Sequence, residues 1–351
     1  MLGRLPHLAT TGVGSLPHTD PVAAVRHVMR SYDIPFCPQL PRLDGDMIVE
    51  WVGVEPGRCG WSPDRDRREP FAWPAFLDAV TKAPPAHRIV KLQVTGPVTL
   101  CGAIAGPGDR SPFLFARDVG AWLADQTQTQ IAALRERGID CLLIVDEPAL
   151  NMAGAATTVI DAWEPLRTVG AAWGLHVCCQ PPWALLEAAR PDVLNIDLVA
   201  FPLDRAASDI VTRMVRAGTT MAWGITPVHR DEETSVAVSR LMNGVSSVRA
   251  GGVGTTAAQA RALATASCGT GAQAMSRESH ITRVLRDAVV AWTAEARHGV
   301  SLSSFGTCSS SRKPMDVSRT FDGRRRETGV SRATTTGAHG IDFSYRFGRA
   351  A

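Results

Sequence analysis

The stretch DCLLIVDEPAL, residues 140–150, decides how the chain is read. Five apolar residues, Cys141 to Val145, run between two acids, which suits a strand buried on both faces. The acids Asp146 and Glu147 emerge where that strand ends, and Pro148 cannot donate to a further ladder bond. Immediately upstream, FARDVGAWLADQTQTQIAALRERG (115–138) has helical period and closes on Gly138, a residue suited to a left-handed helix cap.

The same alternation of short strand and longer helix extends in both directions. Further strands are expected at 9–15, 34–40, 88–94, 175–180, 192–198, 219–225 and 262–268. Helices DPVAAVRHVMRSY (20–32) and DRAASDIVTRMVRAG (204–218) open on Asp20 and Asp204 as N-caps, and the second closes on Gly218. Eight strand–helix units within about 300 residues predict an α/β fold, a (β/α)8 TIM barrel forming a single domain over residues 1–300. The Pro-, Arg- and Trp-rich insertion 53–76 is too long for a plain connection and either covers the barrel mouth or makes a surface excursion.

Composition sets the outer limits. The chain has 351 residues, 45% hydrophobic and 20% charged, with a net charge of +3. Residues 301–351 hold nine Lys/Arg against four acids in a Ser/Thr/Arg/Gly-rich stretch without periodicity, so the basic excess is assigned to a disordered tail dispensable for folding. No nucleic-acid or membrane partner is expected, and the N-terminus lacks the apolar core of a signal peptide, which predicts a cytoplasmic protein. Eight cysteines are too few for a disulfide scaffold in so long a chain. Cys37, Cys59, Cys101 and Cys141 read as small buried hydrophobes. Neither G-x-G-x-x-G nor a phosphate-binding G-x-x-x-x-G-K-[ST] loop occurs.

In a barrel, chemistry gathers at the C-terminal ends of the strands. There the sequence places Ser15, Asp146 with Glu147, His176 with Cys178, Asp197 and Cys268, while the seventh strand runs into a loop holding His229. Residues two apart on a strand share a face, so His176 and Cys178 can reach one ion. Cys268 adds a second sulfur and Asp197 an oxygen, a donor set suited to Zn2+. Lys91 and the Gly96–Pro97 turn read as structural.

These residues carry a resemblance. TTGVGSLPHTDP (10–21), KLQVTGPVTL (91–100), LLIVDEPAL (142–150), HVC (176–178), a strand ending in an acid, and TASCG (265–269) occur in the order found in the C-terminal catalytic barrel of cobalamin-independent methionine synthase and its single-barrel relatives. The resemblance runs from about Ala9 to Arg297. It implies a zinc-dependent methyl transfer from 5-methyltetrahydrofolate or a methylated corrinoid to homocysteine or a similar thiol. It assigns His176, Cys178 and Cys268 as zinc ligands, with Asp197 where the family has Glu. It also assigns Asp146 to the substrate amine, Ser15 to the substrate carboxylate and His229 to proton transfer. PQLPRLDGDMIVEW (38–51) looks like the second substrate-binding motif, with Gln39 or a nearby residue standing where a Glu is expected. Two other readings remain: a non-catalytic barrel that keeps the zinc or ligand pocket, and a metal-free decarboxylase barrel, for which Arg42 is the only suitably early arginine.

Overall fold

The computed structural model describes residues 1–44, 47–52, 70–104, 115–152, 156–170, 172–250 and 262–297. The proposed tail 301–351, the domain end at 300 and most of the 53–76 insertion lie outside the described residues. Met1–Ala294 form one compact unit.

Among the described residues, seven parallel strands make up the sheet: β1 (Ala9–Thr10), β2 (Ile89–Thr95), β3 (Asp140–Asp146), β4 (Ala172–Val177), β5 (Val193–Asp197), β6 (Thr220–Thr226) and β7 (Ala262–Ala266). Their spatial order is β1-β7-β6-β5-β4-β3-β2, so the sheet curls with β1 and β2 at its ends. The expected strand at 34–40 fills that gap as two isolated bridges. On one side Ile34 N donates to Thr10 O (3.0 Å) and Gln39 N to Gly14 O (3.1 Å). On the other, Lys91 N donates to Pro35 O (2.8 Å) and Cys37 N to Lys91 O (3.1 Å). Pro35 and Pro38 lack amide protons, which is why this segment bridges both neighbours without forming a regular ladder. Backbone hydrogen bonds thus continue around the barrel.

The predicted helix signals act as expected. Asp20 accepts from Val22 N at 3.0 Å and Asp204 from Ala207 N at 2.8 Å. Gly138 (φ 65°) and Gly218 (φ 119°) end their helices in the left-handed region that disfavours side chains. One strand is displaced: β4 starts at Ala172 and ends at Val177, three residues before the expected segment 175–180. A Cβ on Gly174 would come within 2.5 Å of Val193 O, so the close approach of β4 and β5 depends on the bare backbone of Trp173-Gly174. Cys178 is consequently the first residue past the strand.

The barrel interior is divided along its axis. Ala9, Ile34, Ile89, Leu142, Ile144, Val193, Ala222 and Leu263 form an apolar plug, against which Met1, Leu2 and Leu5 pack. Toward the C-terminal ends the inward positions become polar: Lys91, Gln93 and Thr95 on β2, Asp146 on β3, His176 on β4, Asn195 and Asp197 on β5, and Thr265 on β7, all buried. A larger apolar cluster, including Phe76, Leu123, Trp163 and Trp223, fills the layer between sheet and helices. Burying polar side chains in one layer is unfavourable unless they are partnered, so that layer is where function is sought. No described helix is long and apolar enough to cross a membrane.

Candidate metal centre

His176 is the penultimate residue of β4, facing inward, Cys178 is the first residue beyond the strand, and Cys268 lies two residues past β7. One donor atom from each lies within 4.8 Å of the others. A network that fixes the histidine tautomer tests whether this group suits a cation. The Thr265 hydroxyl donates to Ala266 O (2.8 Å), and so accepts from Asn195 Nδ2 (2.9 Å). The same amide nitrogen donates to Ala222 O (2.8 Å), an acceptor only. Asn195 Oδ1 must therefore face His176 Nδ1, 2.6 Å away, which requires the proton on Nδ1. Nε2 is thus the nitrogen left over: it is buried, without a hydrogen-bond partner, and in the neutral ring it carries the lone pair. A neutral imidazole held through Nδ1–H, with Nε2 free beside two sulfurs, matches what zinc requires of a histidine ligand.

The electrostatics agree. Hydrogen bonding from the Cys178 thiol, aided by His176 and opposed by burial, holds Cys268 well below the usual thiol range. Cys178 is pushed well above it by Cys268 and by burial. Of the two sulfurs, Cys268 is therefore the one that favours the thiolate. Burial opposes charge on His176, yet the neighbouring Cys268 and Asp146 outweigh it and raise its pKa. The negative surroundings that favour a proton on this imidazole also favour a cation beside it, and the two compete for Nε2. Asn195→Ala is expected to weaken zinc binding by roughly tenfold to a hundredfold with little loss of fold, measured by competition with a chromophoric chelator. Undiminished affinity would show that the imidazole is held by something else.

The other sequence-predicted residues separate. Asp197 is not part of the three-residue group. Its Oδ1 accepts from Val199 N (2.8 Å) and Ala200 N (3.0 Å), capping the turn after β5, and burial raises its pKa against those bonds. Asp146 stands beside His176 in register, with Oδ1 buried and unpartnered. Burial raises its pKa to about 6, against the pull of His176 and Lys91. Ser15 carries the loop after β7: its carbonyl accepts from Thr270 N (2.9 Å) and its hydroxyl from Gly271 N (3.3 Å). A Cβ on Gly269 would collide with that hydroxyl. Ser15 is thereby tied to the loop that begins at Cys268. His229 is exposed, on the loop after β6, with its ring nitrogen 3.4 Å from Arg230 Nη1.

Glu147, next to Asp146, faces the other way. Its carboxylate accepts from Val98 N (3.1 Å), Thr99 N (2.9 Å), Thr99 Oγ1 (2.7 Å) and Trp163 Nε1 (2.9 Å), fastening β3 to the helix Pro97–Ile104. It is structural. Two residues carry more than the sequence disclosed. Lys91 is buried in the polar layer, bonded to Val13 O and to Gln93 Oε1 (3.0 Å), and burial lowers its pKa to about 8. Glu50, within the quoted 38–51 motif, accepts from Gln39 Nε2 at 2.5 Å. Cys37, Cys101 and Cys141 are buried, as expected, and burial pushes the thiols of Cys101 and Cys141 up to about 12.

No protein-family model matches the chain, and no curated protein matches it in sequence. Solved structures do. The chain is similar to a B12-independent methionine synthase from Shewanella sp. W3-18-1, solved in complex with selenomethionine, with a TM-score of 0.62 and 12% identity over 84% of this chain and 100% of that one. It is also similar to a methyltransferase from Methanosarcina mazei, with a TM-score of 0.51 and 12% identity over 82% of this chain and 94% of the other. At that identity the likeness concerns the fold.

Proposed function

We propose that this chain is a zinc-dependent S-methyltransferase, moving a methyl group from 5-methyltetrahydrofolate or a methylated corrinoid to homocysteine or a similar thiol. The observation that carries the reading is the bare, buried His176 Nε2 beside the sulfurs of Cys178 and Cys268, one strand away from the unpartnered Asp146 Oδ1. Likeness to a methionine synthase barrel and a methyltransferase barrel supports it.

His176, Cys178 and Cys268 would hold the ion, with Asp197 either a looser fourth contact or a partner through water. Coordination keeps a substrate thiol as thiolate at neutral pH, the form able to attack a methyl group. Asn195 fixes the imidazole. Asp146 meets the substrate ammonium, and Ser15 with the loop 268–271 offers a hydroxyl and amides to its carboxylate. In the transfer an S–CH3 bond forms as the donor's bond to methyl breaks, and His229, on the loop after β6, would supply a proton to the departing nitrogen of a folate donor, a corrinoid needing none. The barrel 1–300 carries this activity, the tail 301–351 lies outside it, and the reduced thiols suit the cytoplasm.

Purified protein supplied with each donor in turn is expected to methylate homocysteine from at least one of them, read as product by mass spectrometry. No methylation from either overturns the enzymatic reading. Stoichiometric zinc in such an inactive protein would favour the binding barrel instead, a reading kept open by Gln39 and Asp197, where the resembling family has Glu.

A further inference from the structure

Gln39 and Glu50 form a buried pair whose orientation is set by chemistry. Both are about one-twentieth exposed. In the 2.5 Å contact Gln39 Nε2 donates to Glu50 Oε2, which turns Gln39 Oε1 the opposite way. That oxygen lies toward Gly14, where a Cβ would sit 3.1 Å from it and 2.9 Å from Gln93 Cγ and Cδ. Gln93 belongs to the inward polar layer, since its Oε1 accepts from Lys91. Gln39 thus presents an acceptor to the barrel interior and hides its donor. Glu50 is anchored in turn, because its helix Met47–Val52 is tied to β2 by the Thr95 hydroxyl donating to Met47 O at 2.6 Å.

A carboxylate bonded to the amide nitrogen polarises the amide and adds negative charge to its oxygen. The polar layer then holds two acceptor oxygens that favour a cationic group, the unpartnered Asp146 Oδ1 and the polarised Gln39 Oε1, while its own cation, Lys91, is already engaged with Val13 O and Gln93 Oε1. We propose that Glu50, acting through Gln39, is a positioning residue that makes this pocket select thiols bearing an ammonium group over otherwise identical thiols without one. The inference rests on the thiol-acceptor reading above and adds its specificity. It also answers the loss of charge at Gln39: the carboxylate is present, one hydrogen bond further back.

The test uses the full chain loaded with cobalt and titrated with homocysteine or with 4-mercaptobutanoate, which lacks the amine. Binding is read from the sulfur-to-cobalt charge-transfer band. The native protein is expected to bind homocysteine at least about tenfold more tightly. Glu50→Gln should weaken homocysteine by roughly fivefold to tenfold and leave 4-mercaptobutanoate within about twofold. The double variant Gln39→Glu/Glu50→Gln moves the charge back to the pocket and should restore the preference. Equal loss for both thiols, no loss, or no rescue overturns the proposal. If Glu50→Gln does not fold, Gln39→Met is read the same way, with a homocysteine-selective loss expected and equal binding overturning it. A native protein whose band responds to neither thiol defeats the acceptor reading itself, whereas a response to both without preference defeats this inference alone.

Discussion

Cys268→Ala is expected to reduce bound zinc from about one equivalent to near zero, by metal analysis of freshly prepared, reduced protein. The reason is ligand count: His176, Cys178 and Cys268 are the one described group of this kind, and two remaining protein ligands seldom hold the ion. The barrel should survive. Cys268 lies two residues past the end of β7 and contributes no side chain to the apolar plug, so the apo protein stays folded, unlike a zinc finger. Cys179→Ala is the matched control. That sulfur is buried among the backbone of Leu150 and Asn151, on the far side of the chain from Cys178, and its removal should leave the zinc content unchanged. Zinc retained in Cys268→Ala would place the metal elsewhere, and none in the native protein would remove the proposed mechanism.

How far the sequence showed this site depended on whether a local pattern or a tertiary contact fixed each residue. The strand 140–146 matches its expected bounds because five apolar residues sit between acids. The His176–Cys178 pairing follows from the two-residue period. Strand β4 begins earlier than expected because Trp173-Gly174 offers no alternation; what makes it a strand is the glycine's approach to Val193 on a neighbour. Segment 34–40 has apolar letters for a strand, but its two prolines reduce it to bridges. Asn195 was not legible at all: an amide in DVLNIDL looks like any buried polar residue until Ala222 O and Thr265 fix which way it points. Glu50 is hidden for the same reason, since eleven positions along the chain separate it from Gln39. Lys91 reads as structural from its place at a strand start, and only closure of the barrel shows that it stands in the same polar layer as Asp146.

The adjacent acids Asp146 and Glu147 should respond in opposite ways to removal. Glu147→Ala strands two backbone amides, the Thr99 hydroxyl and the Trp163 indole in a site with no water access, and is expected to destabilise the fold by about 3 to 5 kcal/mol in chemical denaturation. Asp146→Asn removes a buried carboxylate whose Oδ1 has no partner, so the fold should lose nothing at pH 7 while homocysteine binding falls by tenfold or more. The pH dependence separates the two further. In the folded, metal-free protein Asp146 titrates at about 6, above its ordinary 3.8, so the folded state binds the extra proton between those values. Its contribution to stability is therefore fully present below 3.8 and is lost as the pH rises through 6, a change on the order of 2 to 3 kcal/mol. Asp146→Asn should abolish that slope, leaving the variant the more stable of the two at pH 7 and nearly equal at pH 4. A variant that is less stable at pH 7, or that keeps the native slope, would mean that Asp146 is a partnered structural acid like Glu147, with no lone pair reserved for a ligand.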